Sequence, residues 1–598
     1  MLNIDSILSD AVSDACDFLF STRPDNKQIS VQSTRPEFIG ERTIVVFTFT
    51  RFSKKSPEDT GTTLGNHLVE HCEHITAFQV VKGFLNLSIS DEYWSSELSR
   101  AAREGSGFGL QPEGSKPLVM VEYSSPNTNK PLHLGHLRNN FLGYSVSEIL
   151  KAAGHSVAKV QIINDRGIHI CKSMVAWKLF GNGETPATTG EKGDKLVGRY
   201  YVAFDKAFKS EVADLIASGL TEDEAKDKAP ILLAARDLLH KWEAGDEAVR
   251  NLWSTMNGWV YEGFASTYTE MGVDFDKLYY ESDTYLIGKS HVESGLASGV
   301  FNQRVDGSIW VDLTDVGLDE KLLLRKDGTA VYMTQDIGTA ILRFEDYAGL
   351  DRQIYTVGNE QEYHFKVLFE ILKKLGFEQA SRCHHLSYGM VELPEGKMKS
   401  REGTVVDADD LLLEMKTTAA DMAREAGKLE HIPSDEHDEL FKNVGYGALK
   451  YFLLRVDPKK SMMFDPKGSI DFIGNTGPYI QFNYVRSRSM LRNAGLENPS
   501  DLSPLSTVHL DDTERSLLMT ALSLPSTIEE AARSYDPSLV ANLCYDIMKS
   551  YSSWYQDHPI LKEENEDLRS ARLALCALCS SAVKTGMSLL GVTMPERM

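Results

Sequence analysis

The chain has 598 residues, 42% of them hydrophobic and 25% charged, which is an ordinary globular composition with room for several domains. It contains no apolar run of about eighteen residues and no basic stretch at its start, so the sequence predicts neither a transmembrane helix nor a secretory signal. The net charge of −23 argues against a protein that coats nucleic acid, although local basic patches could still hold a large RNA.

The seven cysteines are scattered and form no even framework that would indicate disulfides. Cys576 and Cys579 form a C-x-x-C pair within a helical pattern, but no second pair lies nearby, so we expect no structural metal. This cysteine usage fits a reducing, cytoplasmic compartment.

Residues 1–115 are predicted to form a separate α+β domain. Apolar residues from Ile7 to Leu19 recur at helical spacing, and the segments 42–52 and 79–90 are rich in the β-branched and aromatic residues typical of strands. Glycines at 105–109 and Pro112 then indicate a linker.

The stretch from Leu118 to Leu150 begins as a buried strand, breaks at its serines and continues as a helix. His133 and His136 lie three residues apart at the start of that helix, on one face, with Gly135 between them. A helix start offers free N–H groups and a positive dipole end, which suits a phosphate. A chance His-x-x-His pair is the alternative, whereas an H-E-x-x-H zinc site would need a different spacing.

From residue 116 onwards strand and helix patterns alternate, as they do in doubly wound parallel sheets, and we expect polar residues to collect at the carboxyl edge of one sheet. Further strands are expected at 156–163, 307–311, 322–325, 328–336 and 352–357. Residues 181–300 interrupt the alternation as a charged, mainly helical insertion, to which we assign no chemistry.

The segment 395–404, EGKMKSREGT, is a short basic loop flanked by glycines. Such a loop suggests a lid that closes on phosphates, and ordinary solvated surface is the alternative.

From residue 441 the pattern is all-helical. Tyr484, Arg486, Arg488 and Arg492 interleave aromatic and basic groups, and the last two share one helix face. This pattern fits the binding of unpaired RNA bases, with a solvated helix face as the alternative.

Two of these motifs resemble known signatures. The string PNTNKPLHLGH at 126–136 resembles the first signature of class I aminoacyl-tRNA synthetases, and its flanks resemble the arginyl-tRNA synthetase family in particular. The loop at 395–404 resembles the second signature, K-M-S-K-S, except that Ser400 stands where that family has its second lysine and Lys399 is displaced by one position. Similar phrases at 83–86, 444–451, 475–482 and 594–598 extend the resemblance over nearly the whole chain.

The resemblance implies a multidomain α/β protein. Its parts would be an N-terminal α+β domain at 1–115 that contacts the tRNA elbow, a Rossmann-like doubly wound catalytic domain at 116–440, and an all-helical anticodon-binding bundle at 441–598. The implied enzyme is a cytoplasmic monomer that activates L-arginine with ATP and transfers it to tRNA(Arg), releasing AMP and diphosphate. Mg²⁺ would accompany ATP as part of the substrate.

The resemblance also implies roles for individual residues. The implied catalytic residues are Lys130, His133, His136 and Lys397. Those implied to contact ATP are Gly135, Gly358, Met398, Lys399 and Ser400. Those implied to bind arginine are Glu122, Asn127, Tyr332, Asp336 and Gln361. Those implied to bind tRNA are Tyr484, Arg486, Arg488, Arg492 and Met598. For Glu122 and Asp336 an ordinary ion pair is the alternative.

Two other functions stay open on the sequence. A different class I synthetase, or a small-molecule adenylyltransferase of the same fold, would keep the histidine pair but lack the arginine-type acids and the helical bundle. A non-catalytic tRNA-binding relative would keep the bundle but lose the histidines or Lys397. Since all of these features are present together, an arginine-activating enzyme is favoured.

Overall fold

The structure is a computed structural model that describes residues 4–35, 37–392, 406–425, 429, 432–498 and 501–598. Its contacts divide the chain into two compact units. The first comprises Met1–Phe108, Ser487–Leu522 and Lys549–Ser581, and the second comprises Gly109–Arg486, Ser523–Met548 and Ala582–Met598. The domain boundaries at 115 and 440 stay predictions. Within the described ranges, no helix combines the length and the apolar character that a membrane crossing requires.

The N-terminal part of the first unit is an antiparallel sheet with helices, as predicted. The strands are β1 (Val31–Ser33), β2 (Arg42–Val45), β3 (Ile75–Val81) and β4 (Phe84–Ile89), in the order β1-β2-β4-β3. The helices are α1 (Ile4–Phe20), α2 (Thr50–Ser53), α3 (Pro57–His71) and α4 (Asp91–Glu104).

The strand expected at 42–52 is only partly correct, because β2 ends at Val45. A 3₁₀ turn over Val46–Phe49 and then α2 follow it. Val46 and Phe49 are both buried, and a spacing of three residues places both side chains on the same side of a 3₁₀ turn. The β-branched and aromatic composition of this segment was therefore misleading.

The second unit is built on a five-stranded parallel sheet. Its strands are β5 (Lys116–Glu122), β6 (His155–Ile163), β7 (Lys277–Tyr280), β11 (Arg352–Gly358) and β12 (Cys383–Tyr388), in the order β12-β11-β5-β6-β7. The chain winds outward from β5 in one direction and later from β11 in the other, which confirms the doubly wound prediction. Ligands of such sheets bind beyond the carboxyl ends of the strands where the winding reverses. Here that point lies between the ends of β5 and β11.

Helices cover the sheet and continue beyond it. The first group is α5 (Leu134–Ala152), α6 (Ile168–Phe180), α7 (Pro186–Thr189), α8 (Gly193–Ala217), α9 (Glu222–Lys228), α10 (Pro230–Glu243), α11 (Glu247–Met271), α12 (Glu281–Ala297), α13 (Tyr332–Asp346), α14 (Glu362–Lys374), α15 (Ala408–Glu425) and α16 (His437–Leu454). The later group is α17 (Pro466–Ser469), α18 (Gly477–Asn493), α19 (Asp512–Leu522), α20 (Leu524–Ser534), α21 (Ser538–Asp557) and α22 (Glu566–Leu589). Helices α7 to α11 form the predicted insertion, but β7 returns the chain to the sheet earlier than residue 300.

Several strand predictions need correction. The strands β8 (Asn302–Gln303), β9 (Ile309–Val311) and β10 (Lys321–Leu324) form a separate antiparallel sheet and do not join the parallel one. The strand expected at 328–336 is wrong, because α13 begins at Tyr332 and places Asp336 in its second turn. Its buried residues include Met333, Ile337 and Ala340, which is helical spacing. A short parallel pair, β13 (Val391–Glu392) with β14 (Met462–Met463), also interrupts the region predicted to be all-helical.

Helices α12 and α13 touch through their backbones. A Cβ atom added to Gly288 would lie 1.7 Å from the carbonyl oxygen of Thr334, and one added to Gly338 would lie 2.3 Å from the backbone nitrogen of Gly288. Only glycine permits this approach. The contact holds the first turn of α13 beside α12, and both helices begin close to the carboxyl edge of the parallel sheet.

We expect Gly288→Ala to destabilise the second unit by roughly 1–3 kcal/mol, the usual cost of overpacking, because the methyl group meets backbone that has no free rotamer. The measurement is the urea dependence of unfolding. Gly258→Ala in α11 is the matched control, since a Cβ there has no atom within 4 Å. That variant should be unchanged or more stable, by up to about 1 kcal/mol. Equal stability of the two variants would contradict the backbone contact.

Candidate active site

Two histidines cap the start of α5 with their ring nitrogens. Nδ1 of His133 accepts a hydrogen bond from the backbone N–H of Gly135 at 3.1 Å, and Nδ1 of His136 accepts one from the backbone N–H of His133, also at 3.1 Å. Because a backbone N–H can only donate, neither Nδ1 carries a proton. In the neutral ring the proton then lies on Nε2, so each imidazole offers an Nε2–H donor.

The surroundings keep both rings neutral. Burial, with a smaller contribution from the positive charge of Lys130, lowers the pKa of His133 to about 3. Burial, followed by the charges of His133 and Lys130, lowers the pKa of His136 well below its usual value. The ring centroids are 3.9 Å apart, and a Cβ on Gly135 would lie 3.0 Å from Cε1 of His133. The structure therefore brings Lys130, His133, Gly135 and His136 together, as the sequence predicted.

The end of β5 is held in an uncommon conformation. Ser124 has a φ of 60°, and its backbone N–H donates to Oδ1 of Asn139 at 2.6 Å. Nδ2 of Asn139 donates to the carbonyl oxygen of Thr356 at 2.6 Å, so one side chain of α5 joins the ends of β5 and β11. Sequence reasoning missed this residue. A polar side chain among the apolar positions of α5 was its only signal.

Glu122, predicted to bind arginine, is engaged inside the protein. Its carboxylate pairs with Arg343, and the two side chains are 6% and 0% exposed. Burial acts most strongly against the charge of Arg343, yet attraction to Glu122 and to Tyr355 leaves the pKa of this guanidinium raised. Oγ of Ser125 donates to the other carboxylate oxygen at 3.3 Å. This geometry is the ordinary ion pair that was the alternative for Glu122.

A second pair of acids lies at the starts of α12 and α13. Glu281 is 4% exposed and hydrogen-bonded to Gln335, and Asp336 pairs with Nε2 of His364 at 2.6 Å. Burial raises the pKa of Glu281 to about 7, and the charge of Arg166 only partly offsets it. Two neighbouring carboxyl groups that differ in burial could share a cation such as a guanidinium.

Sequence reasoning also missed Glu281, which directly follows Tyr280 at the end of β7. The available signal was an acid directly after a short strand, a position similar to that of Glu122 at the end of β5. It was overlooked because this segment was assigned to the insertion. Since β7 belongs to the parallel sheet, its carboxyl end opens on the same edge as β5.

The other residues predicted to bind small substrates lie at element ends along this edge. Asn127 is exposed and forms a bridge with Asn164, just beyond β6. Gly358 ends β11, and Gln361, three residues later at the end of a single 3₁₀ turn, is exposed before α14. Tyr332 opens α13 with 66% of its surface exposed.

The predicted lid residues Lys397, Met398, Lys399 and Ser400 lie outside the described residues. The described chain on both sides of them is attached to α5. Before the segment, Nη1 of Arg138 donates to the carbonyl oxygen of Gly389 at 2.5 Å. After it, Asp407 forms an antiparallel bridge with His133.

Tyr484 needs correction as a residue that contacts RNA. Its side chain is fully buried, and its hydroxyl donates to Glu596 at 3.2 Å, because this position faces the interior side of α18. A ring enclosed in this way cannot stack on an RNA base. Arg486, Arg488 and Arg492 are half-buried along the same helix and keep part of their surface in solvent.

Met598 lines a mainly apolar cavity of about 390 Å³ together with side chains of α15 and α16, including Leu440 and Phe441. Its contribution there is apolar packing.

Cys576 and Cys579 are buried thiols in α22. In the described part of the chain, the one group of three residues with metal-ligand geometry is Asp511, Glu514 and His558. Asp511 pairs with His558 at 2.7 Å, and Glu514 pairs with an arginine, also at 2.7 Å. Internal ion pairs account for this group without a metal.

Two family models match the chain from residue 106 onwards. The family of class I tRNA synthetases (R), catalytic domain, matches residues 106–465, and the DALR anticodon binding domain matches residues 480–598. An arginine–tRNA ligase of Flavobacterium psychrophilum is 52% identical over 607 residues, covering 100% of both chains. One of Porphyromonas gingivalis is 54% identical over 596 residues, covering 99% of both.

The solved arginyl-tRNA synthetase of Thermus thermophilus has the same fold, with a TM-score of 0.78 over 100% of both chains at 24% identity. The predicted fold class is confirmed, from the parallel sheet to the helical C-terminal domain. The matched domains and the full-length identity show that this chain belongs to the arginyl family of class I aminoacyl-tRNA synthetases.

Proposed function

We propose that this protein joins L-arginine to tRNA(Arg) in two steps. The arginine carboxylate attacks the α-phosphate of ATP, forming arginyl-adenylate and releasing diphosphate. A ribose hydroxyl at the end of the tRNA then attacks the arginyl carbonyl and releases AMP. The observation that carries this proposal is the pair of neutral imidazoles at the start of α5, where the parallel sheet reverses its winding.

The first step needs positioning and charge stabilisation more than covalent help. The Nε2–H groups of His133 and His136 would donate to phosphate oxygens as negative charge builds on them. In the neutral rings Nδ1 accepts a backbone hydrogen bond, and this bond fixes the direction of the Nε2–H group. Donors fixed in this way need no reorganisation during the reaction. Lys130 adds a positive charge beside them, and Gly135 and Gly358 leave room for the nucleotide. Mg²⁺ would arrive with ATP, bound mainly by phosphate and water.

Recognition of arginine is assigned to the acids of α12 and α13. The carboxylates of Glu281 and Asp336 would bind the guanidinium of L-arginine, and Tyr332 would contact the aliphatic part of its side chain. Because the Glu122 carboxylate is committed to Arg343, this role passes to Glu281, which is buried and whose pKa burial raises to about 7 despite the charge of Arg166. Amino acids that lack a matching cation would leave the buried Glu281 carboxylate without its partner and so be rejected, which makes an editing domain unnecessary.

Asn127 and Gln361 would hold the amino and carboxylate groups of arginine at the exposed rim of the site. Lys397, Met398, Lys399 and Ser400 would contact the triphosphate by resemblance to the second signature. Arg486, Arg488, Arg492 and Met598 are proposed contacts for tRNA, which the matched anticodon-binding domain supports. The enzyme is proposed to act as a cytoplasmic monomer.

Charging of bulk tRNA with each of the twenty amino acids, in the presence of ATP and Mg²⁺, tests the proposal. Arginine alone should become esterified to tRNA, with release of AMP. Charging with another amino acid, or none with arginine, would contradict it.

We expect His136→Asn to lower kcat for arginine activation by roughly 10²-fold, because the donor acts on charge that develops in the transition state. An asparagine oxygen can still accept the His133 N–H, so the helix start is retained while the distal donor is lost. KM for arginine should change little. His155→Asn, at the opposite edge of the sheet, is the matched control and should keep normal turnover. Weaker arginine binding at normal kcat would contradict this role.

Asp336→Asn preserves shape and removes one charge from the proposed guanidinium site. KM for arginine should rise roughly tenfold or more, the effect of losing a charge-assisted partner, while KM for ATP stays nearly constant. Initial rates of activation measure both values. Asp346→Asn, which breaks the Lys277 ion pair at the far end of the same helix, is the control. Parallel changes in both KM values would indicate a structural ion pair instead.

The raised pKa of Glu281 predicts a pH dependence. Its carboxyl group is protonated below a pH of about 7 and must ionise to bind a guanidinium. We therefore expect kcat/KM for arginine to fall as pH drops through about 7, by at most roughly tenfold per unit. Glu281→Gln should bind arginine more weakly and lack this limb of the profile. Persistence of the same limb in Glu281→Gln would assign the titration to another group.

A further inference from the structure

Four side chains from three parts of the fold meet around Lys192, directly before α8. Nζ of Lys192 donates to Oδ2 of Asp409 at 2.7 Å and to Oδ2 of Asp194 at 3.4 Å, and it also contacts the hydroxyl of Thr267. That hydroxyl donates to the other oxygen of Asp409, Oδ1, at 2.8 Å. We refer to Lys192, Asp194, Thr267 and Asp409 as the Lys192 node.

The node is enclosed between helices. The Asp194 side chain is 1% exposed, and those of Lys192 and Asp409 are 22% and 27% exposed. Burial raises the pKa of Asp194 against the attraction of Lys192. Gly263 of α11 brings the helices close, since a Cβ there would lie 2.4 Å from Oδ1 of Asp194. Water screens the ion pairs of Lys192 with Asp194 and Asp409 less than it screens exposed ion pairs, so the geometry of these side chains is more strongly fixed.

The node is close to the candidate active site, because the residue two positions before Asp409 pairs with His133. Asp409 is the second residue of α15, and the chain just before it runs antiparallel to the residues around His133. The N–H of Leu134 donates to the carbonyl oxygen of Val406 at 3.2 Å, and the N–H of Ala408 donates to that of Leu132 at 3.0 Å. His133 therefore lies between two backbone hydrogen bonds to the residues that directly precede Asp409, and the backbone N–H of Asp409 donates to Oδ1 of Asp407 at 2.9 Å.

We propose that Asp409 is a positioning residue for the activation step, an inference that rests on the proposed function. Through Lys192 and Thr267 it ties α15 to the helical insertion. That tie fixes the bridge to His133, and the backbone N–H of His133 in turn orients the ring of His136. The insertion, to which the sequence assigned no chemistry, thereby sets the position of the His133 backbone and, through its N–H, the direction of the Nε2–H group of His136.

The test compares Asp409→Asn with Asp410→Asn. The first variant keeps an acceptor for Thr267 but removes the charge opposite Lys192. The second removes an equal charge one residue away, from a side chain that is 71% exposed and paired with Lys195 at 2.8 Å. In single-turnover adenylate formation, Asp409→Asn should lower the rate roughly tenfold with KM for arginine within about twofold. Asp410→Asn should leave both within about twofold, as surface substitutions do.

A second measurement does not depend on activity. In ¹⁵N-histidine NMR spectra, the wild-type protein should show His133 and His136 as single Nε2–H tautomers, with signals assigned through His136→Asn. Asp409→Asn should give mixed tautomers, whereas Asp410→Asn should give the wild-type spectrum. Lys192→Arg should also give a spectrum close to wild type, because arginine keeps the positive charge opposite Asp409.

Equal rates for the two aspartate variants would overturn the inference, and so would wild-type tautomers in Asp409→Asn, whether or not its melting temperature falls. Failure of the wild-type protein to charge tRNA with arginine would instead count against the proposed function. In that case the tautomer comparison still decides whether Asp409 orients the histidines.

Discussion

The hydrogen bonds from backbone N–H groups to the ring nitrogens of His133 and His136 determine what the rest of the site can do. They cap the start of α5, and they also fix the tautomer of both rings, so one set of hydrogen bonds both begins the helix and leaves each Nε2–H free to act in the proposed reaction. Most helix caps use a hydroxyl or carboxylate oxygen, whose polar function is then consumed by the cap. An imidazole has a second nitrogen, so it can cap a helix and still donate to a ligand. Burial and the nearby charge of Lys130 keep the rings neutral and so preserve this division of roles.

The two buried carboxylates of this edge differ in how far a partner inside the protein compensates their charge, not in how deeply they are buried. Glu122 ends one strand of the parallel sheet and Glu281 directly follows another, and both side chains are nearly inaccessible. Glu122 faces the fully buried guanidinium of Arg343, so its charge is compensated within the fold. Glu281 has Arg166 nearby, but burial outweighs that attraction and raises its pKa to about 7. A buried acid without full compensation is destabilising, and such a group is retained where a ligand supplies the missing cation.

The sequence was sufficient for the histidine pair, the doubly wound sheet and the helical insertion, because each has a local signature in spacing or alternation. It was insufficient wherever tertiary contacts decided the outcome. The pairing of Glu122 with Arg343 joins residues 221 positions apart, which no local pattern reveals. The β-branched run that starts at Arg42 is a strand only as far as Val45. It continues as a 3₁₀ turn, which buries Val46 and Phe49, although its composition favours a strand. The prediction of a strand before Asp336 was wrong because a short apolar run fits the spacing of a strand as well as that of a helix. Packing against α12 selects the helix. Tyr484 looked accessible because the sequence shows an aromatic residue but not which side of α18 it faces.

The backbone contact between α12 and α13 has a consequence for how the substrate range could change during evolution. Side chains at a binding site can be exchanged one at a time. The distance between α12 and α13 is different, because their backbones already touch at Gly288 and Gly338 and cannot come closer. That distance increases only if larger residues at these positions push the two helices apart. The spacing between Glu281 and the first turns of α13 is therefore set by main-chain atoms. Single substitutions can alter the polarity of this corner, whereas its width is inherited with the fold.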